Sequence, residues 1–368
     1  MKIIHLVKYY EPCKGGMESV VKSIVSSINR ISSFTHFFVY SNAYNKEQQN
    51  YKTIQPRIKT LAVSSQFFIK SQPINFFFPG LRQLLLDNDV IHHHYPFPTM
   101  EFALVRYLKL LSGKKFIITW HANIKNSRWS WIEYLYNPLI SILLKRADSI
   151  VVTSPQLFEA SKILQKYADK IEIVPLSFDD TFQANSSRSY PDGRVFRLLF
   201  VGKLRKYKGV EYLIEAVKEL KVKLFIVGNG EEYQNLIQKA KDLELTDKIV
   251  FEPNADDNML LNFYKNCDLF ILPSINEAEA FGVVQLEAMA NGLPVINTFL
   301  KSGVPHVSLN NETGITVLPQ DSHALKNAII NIINNKVQYK LFSKNALERV
   351  KQFSEDTMAT SYLNIYKI

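Results

Sequence analysis

Short runs of apolar residues alternate along this chain with longer stretches in which apolar residues recur every three or four positions. In the first half the runs predict strands at Ile3–Val7, Phe37–Tyr40, Val90–His92, Phe116–Thr119 and Ser149–Val152. In the second half they predict strands at Arg197–Val201, Lys223–Val227, Ile249–Phe251, Leu269–Leu272 and Val295–Asn297. The periodic stretches predict a helix over Met17–Asn29, with Val20, Val21, Ile24, Val25 and Ile28 on one face. Further helices are predicted near Val210–Leu220, Glu232–Leu243, Met259–Asn266 and Val283–Ala290. Strand and helix in alternation build a parallel sheet covered on both faces. The alternation occurs twice, and the weakly patterned stretch Phe178–Gly193, rich in Ser, Asn and Asp, reads as the linker. The expectation is an α/β chain of two domains, residues 1–180 and 181–354, whose strand ends face a central cleft.

The most informative polar pattern is Glu279 and Glu287, separated by seven residues that include Phe281, Gly282 and Val283. The apolar strand Leu269–Leu272 precedes them, and a helix is predicted to start near Phe281–Gly282. The free N–H groups and positive end of that helix suit a phosphate. Two carboxylates flanking an anion site suit a ligand with hydroxyls on both sides of a phosphate, such as a nucleotide sugar. An acidic bias at a helix start plus an exposed helical Glu is the alternative.

Other strand ends carry candidate chemistry. Gly15 and Gly16 follow the first strand and open a helix, which permits close backbone approach to a phosphate; an ordinary tight turn is the alternative. Gly202 to Gly209 opens the next domain's first helix with Lys203, Arg205, Lys206 and Lys208, cations able to neutralise a diphosphate, or else a solvated basic loop. His121 ends the strand at Thr119 and is expected to point toward the ligand. His92, His93 and His94 are consecutive, so only His92 and His94 share a face, and with no acidic or Cys partner nearby in sequence a metal site is not expected.

At 368 residues with 46% hydrophobic content, the chain is an ordered globular protein with ample core. Residues 1–180 carry 22 Lys and Arg against 13 Asp and Glu, whereas the remainder is balanced at 22 against 21. That asymmetry points to an anionic partner for the first half. The aromatic clusters Phe67–Phe68 and Phe76–Phe78 favour a membrane surface, with burial in the core as the alternative. No nucleic-acid signature is present. No apolar run reaches the ~18 residues of a membrane span, and Met1–Lys8 reads as a strand rather than a signal peptide. Cys13 and Cys267 are isolated, which predicts a reducing, cytoplasmic setting.

Together these segments resemble the family 4 retaining glycosyltransferases, and the likeness spans nearly the whole chain. Glu279 and Glu287 match the family's E-x7-E element, Gly202, Lys203, Lys208 and Gly209 its basic loop, and Gly15–Gly16 its first glycine turn. Lys203 stands where the family usually has Arg, with Arg205 as a substitute, and Asn123 stands where Asp is common. The segments around His92–Pro98, Thr119–Ile124 and Val152–Pro155 resemble bacterial surface-polysaccharide enzymes, including O-antigen mannosyltransferases. The resemblance implies a GT-B fold, two Rossmann-like domains with parallel sheets facing a central cleft. It also implies that residues 355–368 form a helix returning to the first domain.

The activity implied is transfer of a hexose, mannose favoured, from a nucleotide diphosphate sugar to a lipid-linked glycan, with retention. Glu279 would bind sugar hydroxyls, and Glu287 the ribose. Gly16, Gly282 and Val283 would hold phosphates. Lys203, Arg205 and Lys208 would bear the leaving charge, and His121 would line the sugar. His92, His94 and Asn123 are candidates for the acceptor side. No metal cofactor is expected, and the partners expected are the donor, the glycan acceptor and the anionic inner membrane leaflet. Left open are a UDP-glucose, UDP-galactose or UDP-N-acetylglucosamine donor, a nucleotide-sugar epimerase, and a non-catalytic basic binding protein.

Overall fold

The computed structural model describes residues 1–13, 16–43, 52–69, 72–123, 133–178 and 187–367. The chain divides into two compact units, Met1–Ser177 with Glu355–Ile368, and Phe178–Ser354.

The first unit is built on an eight-stranded sheet. Its strands are β1 (Lys2–Tyr9), β2 (His36–Asn42), β3 (Lys52–Gln55), β4 (Ile58–Val63), β7 (Val90–Tyr95), β8 (Lys115–Trp120), β9 (Ser149–Val152) and β10 (Ile171–Ile173), in the order β10-β9-β8-β7-β1-β2-β4-β3. Every pairing is parallel except β3 with β4. A separate hairpin, β5 (Phe67–Ile69) with β6 (Gln72–Ile74), is antiparallel. These strands escaped the hydrophobic pattern because each is only three residues long, and β6 holds no apolar run. One face of the large sheet sends Ile4, Leu6, Ile91, Tyr95, Ile118 and Trp120 into an apolar cluster. Alternation along the strands puts His5, His92 and His94 on the opposite face.

The last helix, Glu355–Tyr366, covers that second face by packing on the first helix, Gly16–Ile31. Its first residue is held by three partners on the first helix: Ser23 and Ser27 donate hydrogen bonds to the Glu355 carboxylate at 3.0 and 3.1 Å, and Arg30 pairs with it at 3.3 Å. Further along, Met358, Tyr362 and Tyr366 are buried.

The second unit has a six-stranded, all-parallel sheet: β11 (Phe196–Val201), β12 (Val222–Val227), β13 (Ile249–Glu252), β14 (Leu269–Leu272), β15 (Val295–Thr298) and β16 (Gly314–Val317), in the order β13-β12-β11-β14-β15-β16. The direction of winding reverses between β11 and β14, the place where open α/β sheets bind ligands. Helices Ser322–Asn334 and Lys336–Val350 complete this unit.

The division between the units falls at Ser177 and Phe178, the start of the stretch read as a linker, and Arg188 within that stretch is anchored in the second unit: it donates from Nε to the Asn291 carbonyl at 2.8 Å, and its backbone N–H donates to Ser343 Oγ at 2.8 Å. One sequence expectation is corrected here. The helix predicted over Val210–Leu220 ends at Ala216, and turns lead from there to β12. Among the described residues, no helix is long and apolar enough to cross a membrane.

Candidate functional site

In the second unit, two loops meet at the switch point. The loop after β11 carries the basic residues, and the loop after β14 carries Glu279. Their backbones are joined by a hydrogen bond from the Ile275 N–H to the Tyr207 carbonyl, 2.8 Å. Gly209 makes the approach possible. Its φ is +64°, and a Cβ there would lie 2.2 Å from the Pro273 carbonyl oxygen.

This junction brings Lys208 and Glu279 together, 71 positions apart in sequence. Their Nζ and Oε2 atoms are 2.5 Å apart, and both side chains are less than a tenth exposed. Ser274 Oγ donates a second hydrogen bond to the same carboxylate oxygen at 2.9 Å. Burial alone would lower the Lys208 pKa; the Glu279 carboxylate outweighs it, and the net displacement is upward. Lys208 is therefore charged and already engaged. Expected with Lys203 and Arg205 to bear the leaving charge of a diphosphate, Lys208 has Glu279 as its nearest anion. Lys206 is likewise taken, by Glu211 at 2.8 Å on the surface. Arg205, half-buried, hydrogen-bonds the Tyr207 side chain, and Lys203 is exposed. Among the described residues neither Lys203 nor Arg205 has a carboxylate partner at ion-pair distance. Gly202 backs the Lys208 ammonium.

The helix after the loop runs Val284–Ala290, with Val283 as its cap, one residue inside the predicted Val283–Ala290 and two beyond the start expected near Phe281–Gly282. Gly282 is the reason. Its φ of +75° reverses the chain, and a Cβ there would lie 2.8 Å from both Gln285 Nε2 and Leu272 Cδ2. Phe281, expected to bind the donor because it lies within the E-x7-E element, is buried against Phe353, ring centroids 6.2 Å apart, so its ring is a packing group. Beneath the turn lies a buried amide network, in which Asn297 donates to Gln285 Oε1 at 2.9 Å and accepts from Thr316 Oγ1 at 2.7 Å. Glu287 sits one turn into the helix. Tyr264, fully buried, donates its hydroxyl to Glu287 Oε2 at 2.6 Å. Burial, then that carboxylate, pushes the Tyr264 phenol far up, so it stays a donor.

In the first unit, Gly15 lies outside the described residues. Gly16 opens the first helix with empty space where a side chain would be. His121 follows β8, and its Nε2 is 2.9 Å from His94 Nδ1. Asn123 accepts a hydrogen bond from Trp120 Nε1 at 2.9 Å, which fixes the chain after β8. His92 and His94 are fully buried, and the expectation that they meet an acceptor sugar is corrected. Both nitrogens of His92 are used, by Tyr366 OH and Thr119 Oγ1, each at 2.7 Å. His93 faces the other side, 2.9 Å from Glu101, an acidic partner eight positions along that the sequence reading overlooked. His5 was also missed. A lone histidine in an apolar strand carries no signal, and only the register that sets His5 level with His92 reveals it.

Comparison with known proteins follows the same division. The family model described as Glycosyltransferase Family 4 matches residues 14–182, and that described as Glycosyl transferases group 1 matches residues 182–349. The chain is similar to O-antigen chain mannosyltransferase C of Escherichia coli, 26% identical with all of this chain and 98% of that protein covered. It is also similar to D-rhamnosyltransferase WbpZ of Pseudomonas aeruginosa, 27% identical over 96% of this chain and 92% of that one. Among solved structures, the Anabaena protein HepE in complex with UDP superposes with a TM-score of 0.77 at 20% identity, covering 99% of both chains.

Proposed function

The chain belongs to the family 4 glycosyltransferases and has their GT-B fold, and from that premise we propose a specific transfer. A hexose, mannose favoured, moves from a nucleotide diphosphate sugar to a sugar hydroxyl of a lipid-linked glycan. The product belongs to a bacterial surface polysaccharide such as O-antigen, and the anomeric configuration is retained. The names of the two curated relatives support this class of product. The observation that carries the reading is the joined pair of loops at the β11–β14 reversal, where Lys208 meets Glu279, with Glu287 one turn into the helix that follows the Gly282 turn.

In this reading Glu279 accepts hydrogen bonds from hydroxyls of the donor sugar. Lys208 keeps that carboxylate ionised and in place. Glu287, steadied by Tyr264, accepts from the ribose. Lys203 and Arg205 take up charge developing on the diphosphate as the glycosidic bond breaks, usually the largest electrostatic contribution to such catalysis. The N–H groups of Gly282 and Val283 serve phosphate oxygens. The acceptor hydroxyl attacks on the face the diphosphate leaves, and a phosphate oxygen removes its proton. With these cations the reaction runs without a divalent metal, so chelation with EDTA leaves turnover unchanged; lost turnover restored by Mg²⁺ or Mn²⁺ sinks that part.

The first unit holds the glycan at the inner face of the cytoplasmic membrane. Phe67, Phe76 and Phe77 stand 61%, 78% and 64% exposed beside the small hairpin, in the half that carries the positive charge. Salt-sensitive binding to anionic vesicles is expected, and absence of binding at low salt removes this placement.

A thermal-shift panel of GDP-, UDP- and ADP-sugars tests the donor. GDP-mannose is expected to stabilise most. A uridine sugar doing so replaces mannose while keeping the transferase, and the UDP complex of the Anabaena neighbour makes that the second reading. Stabilisation by none of them overturns the proposal.

A further inference from the structure

Three imidazoles form a chain across the first sheet. His5 Nδ1 lies 2.9 Å from His94 Nε2, and His94 Nδ1 lies 2.9 Å from His121 Nε2. Successive rings are nearly parallel, at 18° and 25°. Register explains the alignment. His5 on β1 is level with His92 on β7, His94 is two residues further on, and His94 is level with Thr119 on β8, two residues before His121. The chain therefore climbs diagonally from the middle of the sheet to its C-terminal edge. Its inner end is His5 Nε2, buried and without a hydrogen-bond partner; its outer end is His121, partly exposed.

Among the described residues no carboxylate is bonded to these three rings, and burial lowers their pKa values, to about 3 for His5 and for His121. They are neutral near pH 7, each with one N–H and one bare nitrogen. Each junction needs one donor and one acceptor, so only two arrangements satisfy both. If every ring carries its proton on Nε2, the N–H groups point inward and His5 is left with a buried donor and no acceptor. If every ring carries it on Nδ1, a bare nitrogen is buried instead, and the surplus N–H emerges at His121. Orphaned buried donors are rarer than under-used acceptors.

We propose that His5, His94 and His121 form one outward-directed chain of Nδ1-protonated rings, which makes His121 a fixed hydrogen-bond donor to an oxygen of the sugar substrate, with His5 and His94 as its positioning residues. His121 is then no general base, and the proton of the attacking hydroxyl leaves by another route. The partner oxygen rests on the transferase reading above; the protonation pattern does not. His5, His92 and His94 also lie close enough together to suggest a metal. Two imidazole nitrogens on one tetrahedral zinc are about 3.3 Å apart, wider than the 2.9 Å of His5 and His94, and both nitrogens of His92 are occupied by hydroxyls.

The test is imidazole nitrogen NMR on the full chain labelled with ¹⁵N-histidine, which needs no variant to read protonation in the wild type. Nδ1-protonated signals are expected for all three rings, and an Nε2-protonated His121 overturns the proposal. Tight, stoichiometric Zn²⁺ binding that abolishes those signals also overturns it. His94→Asn keeps a side-chain N–H for His121 and is expected to preserve its Nδ1 proton. His94→Leu should release His121 to a mixture of tautomers and weaken GDP-mannose or UDP-glucose binding by about fivefold, the worth of one hydrogen bond. An unchanged His121 tautomer in a folded His94→Leu protein counts against positioning. If neither nucleotide sugar binds the wild type, the donor reading fails and the NMR result still decides this one.

Discussion

At the C-terminal strand ends of the second unit, opposite charges meet at short range, Lys208 with Glu279, and the neutral Ser274 hydroxyl donates to the same carboxylate. In the first unit, on the sheet face away from the apolar cluster, four imidazoles are neutral: His5, His94 and His121 are bonded in series, and His92 bonds the hydroxyls of Tyr366 and Thr119, the latter also meeting Tyr362. Both arrangements pair buried polar atoms, with His5 Nε2 left over in the second, yet they respond differently to disturbance. A charged pair fails when one member is removed, because the other remains as an unpaired buried ion. A neutral histidine network fails when protons are supplied.

The sharpest way to break this contrast is Lys208→Met. Loss of one partner from so buried a pair is expected to cost about 3–5 kcal/mol in urea unfolding of the second unit. The double variant with Glu279→Leu should recover part of that, and a single variant costing under ~1 kcal/mol would mean that the pair is solvated.

Acid is the matching probe of the first unit. The folded-state pKa values of His5 and His121 lie near 3, those of His92 and His94 well below the usual 6.5, so below pH 6.5 the unfolded state binds more protons. The stability they contribute is complete above pH 6.5 and is lost as pH falls toward 3. The slope is ~1.4 kcal/mol per pH unit for one such histidine. Glu18, whose pKa burial raises, works in the opposite sense. In the second unit one described histidine, His306, is lowered, to about 4. Hydrogen exchange between pH 7.5 and 5 should therefore show the first unit loosening earlier; the second unit opening first would reverse the comparison.

A smaller effect is expected at the boundary between the two styles. Tyr264→Phe removes a neutral donor from a charged acceptor, Glu287, and should weaken nucleotide-sugar binding by about tenfold, within the range for hydrogen bonds to ions. Calorimetry showing unchanged affinity would remove Glu287 from the donor site or Tyr264 from its support. Smallest of all, Phe76→Ser with Phe77→Ser should alter stability by no more than ~0.5 kcal/mol, being exposed, while reducing vesicle binding.

The fold was largely legible because buried parallel strands write themselves as apolar runs: Ser149–Val152 and Leu269–Leu272 coincide with β9 and β14. The antiparallel strand β3 and the β5–β6 hairpin were not, since Lys52–Gln55 and Gln72–Ile74 hold no such run. In the candidate site, spacing within one loop revealed Glu279 and Glu287. What spacing could not reveal is pairing across the fold. The free cations of the basic loop proved to be divided, Lys208 inward to Glu279 and Lys206 outward to Glu211. Tyr264 and His5 carry their chemistry only through neighbours on other elements, and Phe281 looked like part of a motif whereas its ring belongs to the core.

The clamp of Ser23, Ser27 and Arg30 on Glu355 has a temporal side. A ribosome completes residues 178–354 before it delivers the helix that supplies Tyr362 and Tyr366 to Thr119 and His92. During synthesis the first unit is thus closed only after the second has been made, because the hydroxyls that engage Thr119 and His92 arrive with Glu355–Tyr366.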